Sequence, residues 1–358
     1  MAETKYREIL AELKGAILGS RFDAEHPFPT ESEFARERKL NRNTVHRAYQ
    51  ELRRQGLVEG GRGVPPRLGR RALARKIGLV IPGVAYSEFF QPIVSEIARL
   101  AQKEGYALLF GNATSADPAE QPRQLKRFAQ DLVREGVAGV IFQPLEFLDD
   151  AAAANADILS VFDAAGVPVV LIDYDVAPPP SRSKYDLVGI NNFAAGARVA
   201  EHLLAVGARK IDFVMRPRCA WSVQARCDGV LAAVRRAGGE ASSRVLVAEP
   251  GDAAALRRHL RKGRPDAFVC GNDAVAAKFK QTLDGAGLSV PGDVLLAGFD
   301  DVQIAALLTP PLTTVRQPCA AIGAKAFAAL LRRIARPRGE AQEILLSAPL
   351  VVRESTMR

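Results

Sequence analysis

The sequence predicts an α/β protein in two parts: a basic head of helices and turns over residues 1–64, and from Ile77 a larger body of parallel sheets. Three observations predict it. From Ile77 onward short apolar runs alternate with amphipathic helical patterns, as in a parallel sheet with helices on both faces, and the runs are numerous enough for two sheets and hence two lobes. The net charge of +9 is uneven: residues 1–76 hold 17 Lys/Arg against 10 Asp/Glu, leaving 32 against 30 for the rest. Within 265–318, the apolar runs Ala267 to Cys270 and Val294 to Phe299 end in Asn272-Asp273 and Asp300-Asp301. An open α/β sheet binds ligands outside the carboxyl ends of its strands, so these ends put an amide and a carboxylate over one crevice.

At 358 residues the chain suits a small domain plus a larger one. With 48% apolar and 25% charged residues it has the composition of an ordinary globular protein. No run reaches 18 apolar residues and MAETKYREIL lacks the plan of a signal peptide, so a cytoplasmic protein is expected. Cys219, Cys227, Cys270 and Cys319 show no CxxC pairing and are read as buried free thiols. The basic excess of the first fifth points to a polyanionic partner rather than a membrane, because the amphipathic pattern of membrane insertion is missing.

In the head, Tyr6, Ile9, Leu10, Leu13, Ile17 and Leu18 recur at helical spacing and predict a helix over 5–19. Thr30-Glu31-Ser32-Glu33 is a capping box that starts a second helix, running to about Arg38. Asn41 caps a third helix through Gln55, and Gly56 stops it. Two helices joined by a tight turn, with donors crowding the start of the second, make a helix-turn-helix. Val45, Ala48, Tyr49 and Leu52 face inward, which leaves Arg42, Asn43, Thr44 and His46 for base edges and backbone. Leu57 to Val64 reads as a glycine-tipped hairpin, and residues 65–76 as a basic linker.

Pro29-Thr30-Glu31, the run from Leu40 to Ala48, Gly56-Leu57 and Gly61-Arg62-Gly63 together resemble a GntR-type winged helix-turn-helix. The resemblance implies contacts to phosphates or bases from Ser32, Asn41, Arg42, Asn43, Thr44, His46, Arg62 and Gly63 of double-stranded operator DNA. Asn41 stands where the family has Ser or Thr, His46 where it has Arg, and Val64-Pro65-Pro66 where it has Thr-Phe-Val.

In the body, strands are expected at 77–81, 106–110, 139–142, 167–172, 187–190, 211–215, 267–270 and 294–297, with helices at 92–103, 124–135, 194–206 and 223–237 between them. The stretches LIDYD, VGINNFAAGARVAEHLLAVGARKIDFV and SVQARCDGVLAAVRRAG, the "ND then helix, GFDD" pattern and PPLTTVRQP resemble the effector domain of LacI/GalR repressors, itself similar to periplasmic sugar-binding proteins. That resemblance covers nearly all of 77–358. It implies a first lobe of about 77–174 plus 305–336 and a second of about 175–304 plus 337–358, hinged where the chain crosses. It implies effector contacts from Tyr86, Phe89, Phe90, Asp173, Ser222, Arg226, Asn272 and Asp300. Carboxylates, an amide and a guanidinium suit a polyol such as a sugar, although Arg226 also suits a sugar acid, a sugar phosphate or a nucleoside. Asn191 is read as a helix cap.

The joint expectation is a transcriptional repressor of a carbohydrate operon, controlled by a sugar-like effector and acting as a homodimer on a pseudo-palindrome. A cytoplasmic solute-binding protein is the alternative, opposed by the winged head. An enzyme is not expected: Pro82-Gly83-Val84 lacks a dinucleotide fingerprint, no P-loop occurs, and the four histidines are scattered, so no catalytic residue, cofactor or metal is assigned.

Overall fold

The computed structural model describes residues 2–18, 22, 27–61, 64–69, 76–82, 87–111 and 120–357. The head contains α1 (Ala2–Leu18), α2 (Glu31–Glu37) and α3 (Arg42–Arg54). The capping box forms as expected: the Glu33 amide donates to Thr30 Oγ1 at 3.2 Å, and the Thr30 amide donates to the Glu33 carboxylate at 2.8 Å. Asn41 caps α3 by accepting from the Asn43 amide at 2.8 Å. Val45, Ala48, Tyr49 and Leu52 are fully buried against Ile9, Leu13, Phe28 and Phe34. Tyr49 tolerates that burial because its hydroxyl donates to the Pro29 carbonyl at 2.9 Å.

The wing corrects one expectation. β1 (Val58–Glu59) pairs antiparallel with β2 (Arg67–Leu68), and the Gly69 amide closes onto the Leu57 carbonyl at 2.8 Å. Residues 65–69 therefore belong to the head rather than to a linker. The two prolines displaced the expected strand because neither can donate to a ladder, so pairing resumes only after them.

The body has two six-stranded sheets. The first has the order β13-β7-β6-β5-β3-β4 and is wholly parallel, built from β3 (Lys76–Val80), β4 (Ala107–Gly111), β5 (Gly139–Phe142), β6 (Val169–Ile172), β7 (Asp186–Ile190) and β13 (Glu343–Leu346). It is covered by α4 (Phe90–Lys103), α5 (Gln121–Arg134), α6 (Ala151–Ala164) and α12 (Cys319–Ala335). The second has the order β14-β12-β11-β10-β8-β9, from β8 (Ile211–Met215), β9 (Val245–Val247), β10 (Ala267–Cys270), β11 (Leu295–Asp300), β12 (Thr313–Arg316) and β14 (Leu350–Val351), with β14 antiparallel at its edge. Its helices are α7 (Asn192–Ala205), α8 (Trp221–Ala237), α9 (Ala253–Leu260), α10 (Asp273–Gly285) and the short α11 (Gln303–Leu307).

The chain crosses between lobes three times, after Ile190, after Arg316 and after Leu346. The expected lobe boundaries are corrected accordingly. β7 belongs to the first sheet although 175 was taken as the start of the second lobe, and β12 and β13 each lie in the opposite lobe to the one expected. The cause is hydrogen bonding: β7 is buried between β6 and β13, and β12 between β11 and β14, so each is an interior strand of its sheet. β9, β12 and β13 were not anticipated as strands. Cys227 and Cys270 are buried free thiols, whereas Cys219 and Cys319 are only half-buried. Among the described residues, no helix is long and apolar enough to cross a membrane.

Candidate functional site: the cleft between the lobes and the reading end of the head

Each sheet reverses its strand order once, between β3 and β5 in the first lobe and between β8 and β10 in the second. Such a switch point splays the loops at the carboxyl ends of the strands and leaves a crevice. Here the two crevices face one another. The cleft, of about 120 Å³, is lined by Ser87, Phe89 and Phe90 after β3, Glu146 and Phe147 after β5, Asp173 after β6, Met215, Arg216, Cys219 and Ser222 at and after the end of β8, Asn272 after β10 and Asp300 at the end of β11.

Arg226 lies at its floor, 3% exposed. Its position follows from two glycines at the α7–α8 contact. A Cβ on Gly196 would fall 2.0 Å from the Arg226 carbonyl oxygen, and one on Gly229 2.0 Å from that of Phe193, so only glycine lets the helices approach this closely. The approach brings Asn192, at the start of α7, within reach of Arg226 on α8. The Arg226 Nε donates to Asn192 Oδ1 at 2.8 Å, and Nη1 donates to the Gly271 carbonyl at 2.7 Å and lies 3.5 Å from Asp300 Oδ1. The guanidinium also sits over the Phe299 ring, 4.9 Å from its centre. A guanidinium fixed on three sides cannot follow a ligand, so it presents its remaining donors in one place.

Three carboxyl groups surround it. Burial pushes Asp300 up to about 6, against the pull of Arg226 and of the Gln317 amide, which donates to it at 2.7 Å. Burial raises Asp173 as well, while Arg226 and the Ser222 hydroxyl hold it down. Glu146 is pushed to about 7 by burial and by the neighbouring Asp173, although the Ala220 amide donates to it at 3.1 Å. Near neutrality this cleft therefore offers acceptors and, at Glu146, a carboxyl half in its donor form. Asp173 and Asp300 both occupy left-handed backbone, at φ 73° and 109°, as does Asp301 at 54°. Left-handed backbone in non-glycine residues costs energy and clusters at binding sites. At Asp300 and Asp301 it is held by a buried knot beneath: Asp273 accepts from the Thr314 hydroxyl at 2.7 Å and the Val302 amide at 3.2 Å, and Asp301 accepts from Arg353 at 2.6 Å.

Of the effector residues expected from sequence, Phe89, Phe90, Asp173, Ser222, Arg226, Asn272 and Asp300 all line this one cleft, and Tyr86 lies outside the described residues. Asn272 also caps α10, its side-chain oxygen accepting from the Val275 amide at 2.9 Å, so its amide nitrogen is the group left to offer a ligand. Phe89 and Phe90 are both buried and meet edge to face at 4.7 Å. Trp221 is 41% exposed and does not line the cleft. Sequence reasoning missed Glu146, Phe147, Arg216, Gln317 and Asn192. Asn191 caps α7 as expected, by accepting from the Ala194 amide at 2.9 Å.

The mouth of the cleft is bridged from lobe to lobe. The Phe147 amide donates to the Arg218 carbonyl at 2.9 Å, Arg218 pairs with Asp149 at 2.8 Å, and Arg216 lies over the Phe147 ring at 4.1 Å. On the other side, the Gln303 amide donates to Glu88 at 2.9 Å.

In the head, Ser32, Asn41, Arg42, Asn43 and His46 are exposed and Thr44 half-buried at or near the amino end of α3; Arg62 and Gly63 lie outside the described residues. His46 is held between Glu31, at 2.8 Å, and Gln50, at 2.9 Å, so it is pre-set rather than free to search.

A two-lobed body with a polar cleft at its strand ends, carrying a winged helix-turn-helix head, defines a one-chain ligand-responsive DNA-binding protein. Comparison with known proteins narrows this. Residues 5–65 match the bacterial regulatory proteins of the gntR family, and residues 200–356 match the periplasmic binding protein-like domain. The HTH-type transcriptional regulator reg1 of Streptomyces lividans is 30% identical over 302 residues, covering 82% of this chain and 83% of that one. The arabinose metabolism transcriptional repressor of Geobacillus stearothermophilus is 26% identical over 373 residues, 98% of this chain and 97% of that one. Among solved structures, the transcription regulator GntR from Chromobacterium violaceum is similar at a TM-score of 0.60 and 29% identity, over 78% of this chain and 99% of that one. The chain belongs to the HTH-type transcriptional regulators that join a gntR-type head to a LacI/GalR-type body. It is a DNA-binding regulator.

Proposed function

We propose that this regulator represses a carbohydrate operon and that a small, uncharged sugar bound between the lobes controls it. The observation that carries the reading is the convergence of Arg226, Asp173, Asp300 and Asn272 on one cleft from four different segments of the second lobe and the hinge side of the first. Paired acceptors around a fixed fork of donors match vicinal hydroxyls. Charge favours a neutral ligand over a sugar acid or phosphate: among the described residues, the cations that line the cleft with Glu146, Asp173 and Asp300 are Arg226 and the more peripheral Arg216. Size favours a monosaccharide, because about 120 Å³ is well below the ~300 Å³ at which ligand pockets usually begin. The relative named for arabinose metabolism agrees in class.

The sugar acts by preferring closed lobes, which shifts a pre-existing equilibrium between open and closed bodies. A homodimer turns that shift into a change of spacing between two heads on a pseudo-palindrome, and the protein works in the cytoplasm where such DNA lies. The effector residues are the seven named in the cleft together with Tyr86. The DNA contacts are Ser32, Asn41, Arg42, Asn43, Thr44, His46, Arg62 and Gly63.

A calorimetric and thermal-shift screen of pentoses, hexoses, sugar acids, sugar phosphates and nucleosides tests the reading. A neutral monosaccharide should stabilise the protein and change its affinity for its own upstream DNA. Preference for a phosphorylated or carboxylated sugar would overturn the ligand class. DNA affinity should fall about 10³-fold or more between 50 and 200 mM salt if six or more phosphates are contacted.

A further inference from the structure

The head touches the body through side chains as well as through the chain that joins them. α1 lies against the end of α12 and the turn that follows it, and the two sides enclose a groove of about 560 Å³ lined by Tyr6, Leu10 and Lys14 from the head and by Ala335 to Gly339 from the first lobe. At its rim the last turns of α3 meet that turn: Arg338 Nη2 lies 3.4 Å from Glu51 Oε1. Glu51 is buried, and Arg54 on its own helix holds it with two hydrogen bonds at 2.9 and 2.6 Å. Those bonds, with Arg338 beyond them, keep its carboxyl down at about 2, so it stays charged. Lys14, 3% exposed, completes the cluster. Burial lowers its ammonium to about 8, and only partial compensation comes from Glu51.

The body's side of this contact is rigid. Arg333 pairs with Asp186, with Nη2 at 2.5 Å and Nε at 3.1 Å, and its guanidinium also donates to the carbonyls of Gly339 and Glu340. Arg338 is thus presented by a turn clamped to the first residue of β7. The last residue of β7, Ile190, lies two residues before Asn192, which holds Arg226 in the cleft. A single five-residue strand separates the clamp on the turn from the support of the effector site.

We propose that the turn at 336–339 is a seat for the DNA-reading head, and that Arg338, acting through Glu51, is a positioning residue that sets the direction in which α3 presents its reading end. Asn43 and Glu51 are eight residues apart, or about 12 Å along the helix. Seating one end therefore leaves the other open to DNA while fixing its aim relative to the first lobe. Arg338, the partner on the body's side, is exposed and reaches Glu51 only at 3.4 Å, so the pair is weak and the seat can be released. This inference rests on the regulator reading above, and names how its body steers its head.

The test uses the full chain with Arg338→Lys, Arg338→Ala and Arg338→Glu. Arg338 is exposed and Glu51 keeps its partners on α3, so these variants should fold. Hydrogen exchange at amides 51–57 should rise at least tenfold in Arg338→Glu, less in Arg338→Ala, and stay near native in Arg338→Lys, with α8 unchanged throughout. Selection from random-sequence DNA should return the same half-site for all, at one fixed spacing for the native chain and Arg338→Lys, but at scattered spacings for Arg338→Glu. Native exchange in Arg338→Glu would overturn the seat, and native spacing in Arg338→Glu would overturn the positioning role. If the native chain selects no DNA, the regulator reading fails, and exchange alone still decides the seat.

Discussion

Arg226 is the cation on which the charge balance of the cleft depends. Removing it leaves Asp173 and Asp300 buried beside each other without their counter-charge, a change that typically costs 3–5 kcal/mol when a buried pair is broken. Arg226→Ala should therefore lower stability to urea by about 3 kcal/mol and abolish the sugar response, while the affinity for upstream DNA in gel shift stays unchanged. Glu146 makes the opposite case. Its folded value near 7 lies above that of an unfolded glutamate, so the folded chain holds a proton that the unfolded one has lost. Stability is therefore lost as pH rises from about 4.5 to 7, by about 3 kcal/mol at most at 1.36 kcal/mol per unit. Asp300 acts in the same direction over a window ending near 6. Glu146→Gln should match the native melting temperature at pH 4.5 and exceed it at pH 8, and equal melting at both would remove the assigned burial. Arg226 and Asp300 were legible in the sequence because each lies in a recognisable run at a helix start or strand end. Glu146 and Gln317 were not, since the cleft acquires them from a loop after β5 and from a hinge crossing, and neither neighbourhood has a local pattern.

Among the elements, the α7–α8 contact is the most demanding. Gly229→Ala would set a methyl 2.0 Å from a carbonyl oxygen, so the helices must part. Overpacking of this kind costs about 1–3 kcal/mol, and it should also weaken sugar binding by moving Asn192 off Arg226, which calorimetry on the folded variant would detect. Thr30→Ala removes the cap of α2 and should cost about 1 kcal/mol by urea titration, with the sugar affinity of the body untouched. Helices and central strands were readable because their apolar periods are long and strong. The missed strands are short or polar: β12 is Thr-Thr-Val-Arg and β13 begins with Glu, so only their sheet neighbours make them strands. The second wing strand was misplaced for a related reason. Two prolines interrupt the run, and no local signal shows where pairing resumes.

For the whole molecule, ligand and stability are linked. A sugar at 100 times its dissociation constant should add about 2.7 kcal/mol to the folded state, and the bridges at the cleft mouth should make that gain sensitive to Asp149→Ala, which frees Arg218. Lobe membership was the part of the architecture least visible in the chain, because nothing within β7, β12 or β13 marks which sheet receives them. The threefold crossing of the backbone then has a genetic consequence. The head is one uninterrupted segment, so a recombination event near residue 70 could exchange it whole for another reader. Neither lobe can be inherited in that way, since each is stitched from separate stretches of the gene, and any breakpoint within the body leaves two halves that must be co-inherited to make a sensor at all.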